Sequence, residues 1–441
     1  MDMSTGSSGA ASISKIPELR KRILFTLFIL AVYRLGSHVP TPGIDTVALG
    51  AFFDKASGTI FGVFNMFSGG ALRRFSIFAL GVMPYISSSI IIQLLTIVSP
   101  SLERLSKEGD IGRKKITQFT RYGTIVLCVI QSAFIAKGLE GMRGPDGSSI
   151  VLDPGLNFKL MTIATLTTGT TFIMWLGEQI TERGIGNGIS LIIYAGIAAA
   201  IPSGFAKTLT LFKSGQINAF SLLFLLAIMV AAIAFIIFME RSQRRIPVQY
   251  AKRVIGRKLY GGQDSHLPLK LNSAGVIPPI FASSIILFPA TIAQYVDLPI
   301  FKHLQNIMMS RSLVYNLVYV SFIIFFTYFY TAVTFNPVDV AENLKKHGGF
   351  IPGIRPGKST SDYIDRVLTR ITMAGAVYIA AVCVLPEIMT FKFKVPFYFG
   401  GTSLLILIGV ALDTVSQIES YLLTRHYDGF IKNARLRGRR G

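Results

Sequence analysis

Apolar residues along the chain gather in ten long runs that are separated by polar segments. A helix needs roughly 20 mostly apolar residues to cross the hydrocarbon core of a bilayer. The runs predict ten membrane-spanning helices, so the chain crosses the membrane an even number of times. The predicted spans lie near residues 23–39, 75–98, 119–137, 158–177, 187–206, 219–239, 273–295, 312–334, 368–389 and 397–417.

Lysine and arginine residues are divided unequally between the two sides of these spans. Of the 44 Lys and Arg residues, 31 fall on the side that holds both termini and 13 fall on the other side. Basic residues concentrate in cytoplasmic loops, so the pattern predicts that both termini are cytoplasmic. The mean hydropathy of +0.53 agrees with an integral membrane protein rather than several soluble domains.

The predicted spans form two equal sets, five before residues 207–218 and five after them. An odd number of spans per half makes the second half enter from the opposite side, as in inverted repeats. We therefore predict an all-α integral membrane protein with ten transmembrane helices in two halves related by a pseudo-inverted repeat. Its divisions are a cytoplasmic segment 1–22, a first half 23–206, an external hinge loop 207–218, a second half 219–417 and a basic cytoplasmic tail 418–441.

A shorter apolar segment, 60–72, lies between the first two spans and ends at Gly69 and Gly70. About a dozen residues cannot cross roughly 30 Å of hydrocarbon as a helix. A re-entrant segment fits this length, since such backbone is tolerated where protein or water covers it. The alternative is an interfacial helix that lies flat on the external surface.

Ionisable residues are scarce in the middle of the spans. The charges of Arg34, Glu178, Glu240, Glu387 and Asp413 all lie near span ends. Carriers coupled to protons or sodium usually place carboxylates, lysine or histidine near the midplane. The pattern therefore argues against the main alternative function, a secondary transporter for a small solute.

The sequence also lacks the arrangements that enzymes and metal proteins use. The segment from Gly353 to Ser359 has three residues between its glycines, whereas a phosphate-binding loop needs four and a preceding strand. Cys128 and Cys383 lie inside apolar spans, and the five histidines show no ligand spacing. We predict that the chain is not an enzyme and binds no metal or cofactor.

Five segments carry a specific resemblance to a known family. The chain resembles the SecY/Sec61 family, the channel subunits of protein-export translocons, over essentially its whole length. The segments that match the family's second, fifth and seventh spans, its fifth cytoplasmic loop and its tenth span are Ser76–Leu95, Glu178–Ser190, Ala274–Pro289, Gly348–Gly357 and Gly400–Ile406.

The resemblance implies an hourglass channel that is closed by a ring of aliphatic side chains and by a re-entrant plug helix. The ring residues would be Val82, Ile86, Ile189, Ile193, Ile280 and Ile406. Two pairs of them are four residues apart, which places each pair on one helix face. The plug residues would be Phe64, Asn65, Met66, Phe67, Ser68, Gly69 and Gly70.

The family's second and seventh spans form a lateral gate, where a signal sequence docks and transmembrane segments leave for the lipid. The matching gate residues are Ser87, Gln93, Asn272 and Phe288. A hydrogen bond between Gln93 and Asn272 would be worth roughly 0.5–2 kcal/mol in the membrane. The alternative is that each polar side chain satisfies its own helix.

Residues 241–258 contain seven basic residues and no acidic one. In the family, this loop and the 345–358 loop receive the SecA ATPase or the ribosome, and the full cytoplasmic docking loops would be 240–271 and 336–367. The residues that the resemblance assigns to docking are Arg244, Arg245, Lys252, Arg253, Arg257, Lys258 and Arg355. A solvated charged hairpin without a partner is the alternative.

The resemblance also implies the setting in which the chain works. It would be the central subunit of a protein-conducting channel in the bacterial inner membrane, with SecE and SecG as membrane subunits. SecA or the ribosome would drive signal sequences and unfolded polypeptides through it, and lipids would surround it. The basic tail would lie near ribosomal RNA or anionic lipid.

Overall fold

The structure is a computed structural model that describes residues 16–55, 65, 68–142, 149–215, 218–250, 253–255, 258–260, 265–293, 313–393 and 401–437. Fourteen helices account for most of these residues. They are α1 (Pro17–Gly36), α2 (Thr46–Lys55), α3 (Met83–Val98), α4 (Pro100–Lys107), α5 (Asp110–Gly141), α6 (Leu156–Arg183), α7 (Gly188–Ala198), α8 (Ile201–Lys213), α9 (Ala219–Arg241), α10 (Ile277–Ala293), α11 (Leu313–Thr334), α12 (Pro337–Lys346), α13 (Lys358–Phe393) and α14 (Gly401–Arg437).

Every predicted span overlaps at least one helix. Among the described residues, seven helical stretches are long and apolar enough to cross a membrane; one of them continues from α7 into α8 and another from α11 into α12. The pair α3 and α4, bent by 101°, makes an eighth if it is one span. The apolar part of α10 is shorter, at Ile277–Ile286. The prediction of a helical membrane protein is confirmed, and the number of ten spans stays a prediction.

The second predicted span begins later than residue 75. Residues 76–82 form turns with one short bridge, and α3 starts at Met83 with Pro84 in its first turn. Proline lacks an N–H, so it is favoured in the first turn of a helix and disfavoured in the interior. The apolar residues before it are buried in the turns instead, with Phe75 and Phe78 each 1% exposed.

Helices also extend into segments that were predicted as loop or tail. Helix α8 runs through Lys213, so most of the predicted hinge loop at 207–218 is helical. Helix α14 continues to Arg437, well beyond the predicted last span. Hydropathy marks only the apolar part of a helix, and polar residues such as those after residue 417 continue the same hydrogen-bonding pattern.

The described residues group into two compact units. The first unit consists of the chain up to Lys207, the part of α10 that follows Ile286, and α14 from Val410 onward. The second unit consists of the chain from Thr208 to Ile286 and from Ser310 to Gly409. In the first unit, α5 packs against both α6 and α3. In the second unit, α11 packs against α13. The division into inverted halves stays a prediction.

The second unit contains β-structure that the all-α prediction missed. Strands β1 (Gln243–Tyr250), β4 (Ser265–Lys270) and β5 (Gly349–Phe350) form a sheet in the order β4-β1-β5. Both pairings are antiparallel. Two short strands between β1 and β4, β2 (Arg253–Ile255) and β3 (Lys258–Tyr260), pair with each other.

Candidate functional site

Four of the six predicted ring residues lie in the first unit. Val82 caps the start of α3, and its carbonyl accepts the Ile86 N–H at 3.1 Å, so the two residues lie one turn apart. Both side chains are buried, and so is Ile193 on α7. Ile189 is half-buried, and a Cβ added at Gly177 of α6 would lie 2.6 Å from its Cδ1. Ile189 therefore packs against α6 as well as lying on the predicted ring face.

The other two ring residues lie in the second unit. Ile280 on α10 and Ile406 on α14 are buried, at 7% and 1% exposure. Five of the six residues therefore lie in helices, and Val82 caps the start of one. Their convergence around one pore stays a prediction.

The end of the predicted plug is held by the first helix. Tyr33 donates its hydroxyl hydrogen to the Ser68 carbonyl at 3.3 Å, and Arg34 Nη1 donates to the Gly69 carbonyl at 3.0 Å. Asn65 accepts the Arg73 N–H on its Oδ1 at 2.8 Å. Of the predicted plug residues, Phe64, Met66 and Phe67 lie outside the described residues.

A contact between two glycines holds the same end against α7. A Cβ added at Gly69 would lie 2.8 Å from the Cα of Gly196, which is closer than real side chains approach backbone. Gly69 also has a φ of +66°, which favours glycine. The plug end therefore lies between α1 and α7, and α7 also carries two of the predicted ring residues.

The predicted gate residues lie in both units. Ser87 and Gln93 are half-buried on α3, whereas Asn272 precedes α10 and is 4% exposed. Phe288 lies in α10, but its side chain is outside the described part. The Asn272 amide nitrogen donates to Glu240 Oε1 at 2.7 Å and to the Gly275 carbonyl at 3.0 Å. The sequence analysis missed Glu240 as a partner, and the Gln93–Asn272 hydrogen bond stays a prediction.

The two predicted docking loops form one folded body in the second unit. Strand β1 from the first loop pairs with β5 from the second, with Tyr250 opposite Gly349. Alternate residues of β1 point into a small core, while the residues between them are exposed. The buried members of that core are Ile246, Val248, Leu269, Ile351 and Ile364.

The basic side chains of this body point outward where they are described. Arg244 and Arg245 are exposed on β1, and Arg355 is exposed between the half-buried Ile354 and the exposed Pro356. The Arg355 carbonyl accepts the Thr360 hydroxyl at 3.0 Å, so its backbone is fixed. Arg253 and Lys258 lie in β2 and β3, whereas Lys252 and Arg257 are outside the described residues. Strands β1 and β4 pair antiparallel and carry exposed basic residues, and docking on them stays a prediction.

Comparison with known proteins gives consistent results over nearly the whole chain. The SecY family model matches residues 76–415. The protein translocase subunit SecY of Escherichia coli strain K12 is 53% identical over 430 residues, which cover 96% of both chains. The corresponding subunit of Pseudomonas aeruginosa is 50% identical over 98% of both chains, and that of Aquifex aeolicus is 46% identical over 96% of this chain and 98% of the relative.

Solved structures share the fold. A protein-conducting channel aligns with a TM-score of 0.64 at 16% identity, covering 92% of this chain and 96% of the other. A SecY channel whose plug domain is described as stabilising the closed state aligns with a TM-score of 0.65 at 18% identity and the same coverage. The chain belongs to the SecY family.

Proposed function

We propose that this chain is the central subunit of a protein-conducting channel that passes unfolded secretory polypeptides across a membrane and releases transmembrane segments sideways into lipid. The observation that carries the proposal is the similarity of 46–53% identity, over nearly the whole chain, to protein translocase subunits. The scarcity of ionisable residues in the spans disfavours the alternative, a small-solute transporter.

The aliphatic ring closes the pore in this proposal. An apolar constriction resists wetting and so blocks ions, yet it offers a passing chain no strong binding site. The plug adds a second seal, and the contacts of Ser68 and Gly69 with α1 and α7 hold it at rest. The channel itself makes and breaks no covalent bond.

The energy for movement comes from a partner that docks on the exposed basic face around Arg244, Arg245 and Arg355. SecA or the ribosome fills this role, and SecE and SecG complete the channel in the membrane. The excess of Lys and Arg on one side of the spans supports an orientation with both termini in the cytoplasm. The membrane in this proposal is the bacterial inner membrane.

The plug contact yields a prediction with a matched control. Gly69→Ala places a methyl group against Gly196 and strains a positive φ, so we expect the plug end to shift and resting ion conductance to rise several-fold. Gly70 also has a positive φ, but a Cβ there meets nothing within 4 Å. Gly70→Ala should therefore leak less than Gly69→Ala. Equal conductance of the two variants in planar bilayers would show that the Gly196 contact does not hold the plug.

Affinity purification tests the proposed assembly. The tagged chain, extracted in mild detergent, should bring down two small membrane proteins identified as SecE and SecG, and the complex should bind SecA or ribosomes. A chain that purifies alone from its native membrane and binds neither partner would contradict the proposal.

A further inference from the structure

The side chain of Ser88 joins helix α3 to helix α5 at a buried point of the first unit. Ser88 is 1% exposed, and its hydroxyl donates to the Thr120 carbonyl of α5 at 2.8 Å. The two residues are 32 positions apart in the chain, so this hydrogen bond is a tertiary contact. It fixes where α3 lies along α5.

Gly123 of α5 leaves the space that the Ser88 hydroxyl occupies. A Cβ added at Gly123 would overlap the Ser88 Oγ, whereas it would lie at an ordinary 3.5 Å from the Ser88 Cβ. A methyl group at position 123 therefore conflicts with the hydroxyl of Ser88 and not with the rest of its side chain. Glycine is unfavourable inside a helix, and here it allows α3 and α5 to approach closely.

The backbone of α5 does not need Ser88 to satisfy its hydrogen bonds. The Thr120 carbonyl also accepts the hydroxyl of Thr124, one turn further along α5, at 2.7 Å. Removing the Ser88 hydroxyl therefore leaves no buried acceptor unsatisfied, which is the costly case in a protein interior. What the Ser88 hydrogen bond adds is the connection between the two helices.

Ser88 lies on the face of α3 that is opposite to the predicted ring residues. Successive residues of an α-helix are about 100° apart, so Ser88 lies about 200° around the helix from Ile86. Val82 lies one turn before Ile86, near the same face as Ile86. Helix α3 is thus held to α5 from behind its predicted ring face.

The packing continues from α5 to the other ring pair of the first unit. Helix α5 packs against α6, and α6 packs against α7. Gly177 of α6 leaves space for Ile189 of α7, and Ile193 follows one turn later on the same helix. The distance between the ring pair of α3 and the ring pair of α7 is therefore set through α5 and α6.

We propose that Ser88 is a positioning residue of the channel: its hydrogen bond to α5 sets the distance between Val82 and Ile86 and the ring pair of α7. This inference rests on the proposed channel function and on the predicted ring. An apolar constriction excludes water and ions only while it stays narrow, so displacing one ring pair opens a path for ions. The resting conductance therefore depends on a contact behind the ring face as well as on the ring residues themselves.

A double-mutant cycle in the complete channel complex tests this role, with the resting ion conductance in planar bilayers as the readout. Gly123→Ala forces α3 and α5 apart, and we expect the conductance to rise at least about fivefold, because overpacked helices must shift. Ser88→Ala removes the hydrogen bond without a clash and should raise the conductance about twofold. In the double variant the added methyl group has room, so the conductance should return to the level of Ser88→Ala.

Gly141→Ala is the matched control. Gly141 ends the same helix, and a Cβ there meets nothing within 4 Å, so this variant should conduct like the wild type. Ser88→Ala contains no clash, so its conductance decides the question even if Gly123→Ala does not assemble.

The melting temperature of each variant separates positioning from a merely structural contact. Loss of stability in Ser88→Ala without any leak would overturn the inference, and so would wild-type conductance in an assembled Gly123→Ala channel. A double variant that leaks as much as Gly123→Ala would also overturn it. Failure of the wild-type complex to translocate a preprotein would instead refute the proposed function and the inference with it.

Discussion

Replacing Arg355 with glutamate should abolish SecA-driven export while leaving folding and membrane insertion intact. The side chain is exposed and its backbone is held by Thr360, so the change costs the fold little. The guanidinium offers five donors to an acidic or phosphate partner, and glutamate reverses its charge. Losing one partner of a charge pair that docking buries costs roughly 2–5 kcal/mol, which corresponds to docking that is at least about 30-fold weaker. ATP-dependent export of a preprotein into inverted membrane vesicles measures this loss of transport.

Two further variants show whether the defect of Arg355→Glu depends on the guanidinium geometry and on the position of the charge. Arg355→Lys keeps the charge but loses the planar fork, so an intermediate defect indicates bidentate recognition. Lys392→Glu makes the same reversal at the end of α13, on the side predicted to be external, and should do little. Equal defects at both positions would indicate a general electrostatic effect, and normal export by Arg355→Glu would remove the docking hypothesis.

Replacing Ile86, Ile193 and Ile406 with serine should let ions through the resting channel while export continues. Each side chain is buried and aliphatic, and hydroxyl groups at a narrow constriction favour its wetting. We expect the single-channel or macroscopic conductance in planar bilayers to rise at least about tenfold over wild type, since dewetting is the barrier.

Neighbouring buried aliphatic residues provide the control for this experiment. Leu191 and Ile408 are as deeply buried as the ring residues, at 7% and 6% exposure, but each is offset by two positions from a ring residue along α7 or α14. They therefore lie on other helix faces. Leu191→Ser and Ile408→Ser should lower stability without a leak. A leak of the same size from both sets, or from neither, would show that the ring assignment is wrong.

Hydropathy and charge were sufficient to predict a helical membrane protein, but not its local detail. Each apolar run overlaps a helix because spanning backbone must satisfy its own hydrogen bonds. The start of α3 at Met83 could have been predicted, since Pro84 disfavours a helix that began eight residues earlier. The buried turns that replace that first part depend on tertiary packing, which hydropathy does not describe.

The sheet was missed for a different reason. The sequence analysis considered residues 241–258 by their seven basic residues, whereas the structural signal in β1 is the alternation that buries Ile246 and Val248. Its second partner, β5, is only two residues long and lies about a hundred positions away. No local pattern predicts so short a pairing, although it joins both docking loops into one body.

The plug contacts illustrate the limit of sequence reasoning about the site. Arg34 was recognisable as a charge at the end of an apolar run, and the structure gives it the Gly69 carbonyl as a partner. The approach of Gly69 to Gly196 joins positions far apart in the chain, and neither glycine has a local feature that predicts it. The hydrogen bond between Glu240 and Asn272 was likewise not predicted. The sequence analysis identified Glu240 as a charge near a span end and Asn272 as a gate residue, but it did not pair the two.

One measurement tests the central claim most directly: transport of a preprotein by the purified chain in vesicles together with SecE, SecG, SecA and ATP. We predict that a preprotein with a signal sequence becomes protected from external protease only when ATP and this chain are both present, and that the protection is lost when the chain carries Arg355→Glu. Vesicles that contain the folded chain and its partners but protect no preprotein would contradict the account.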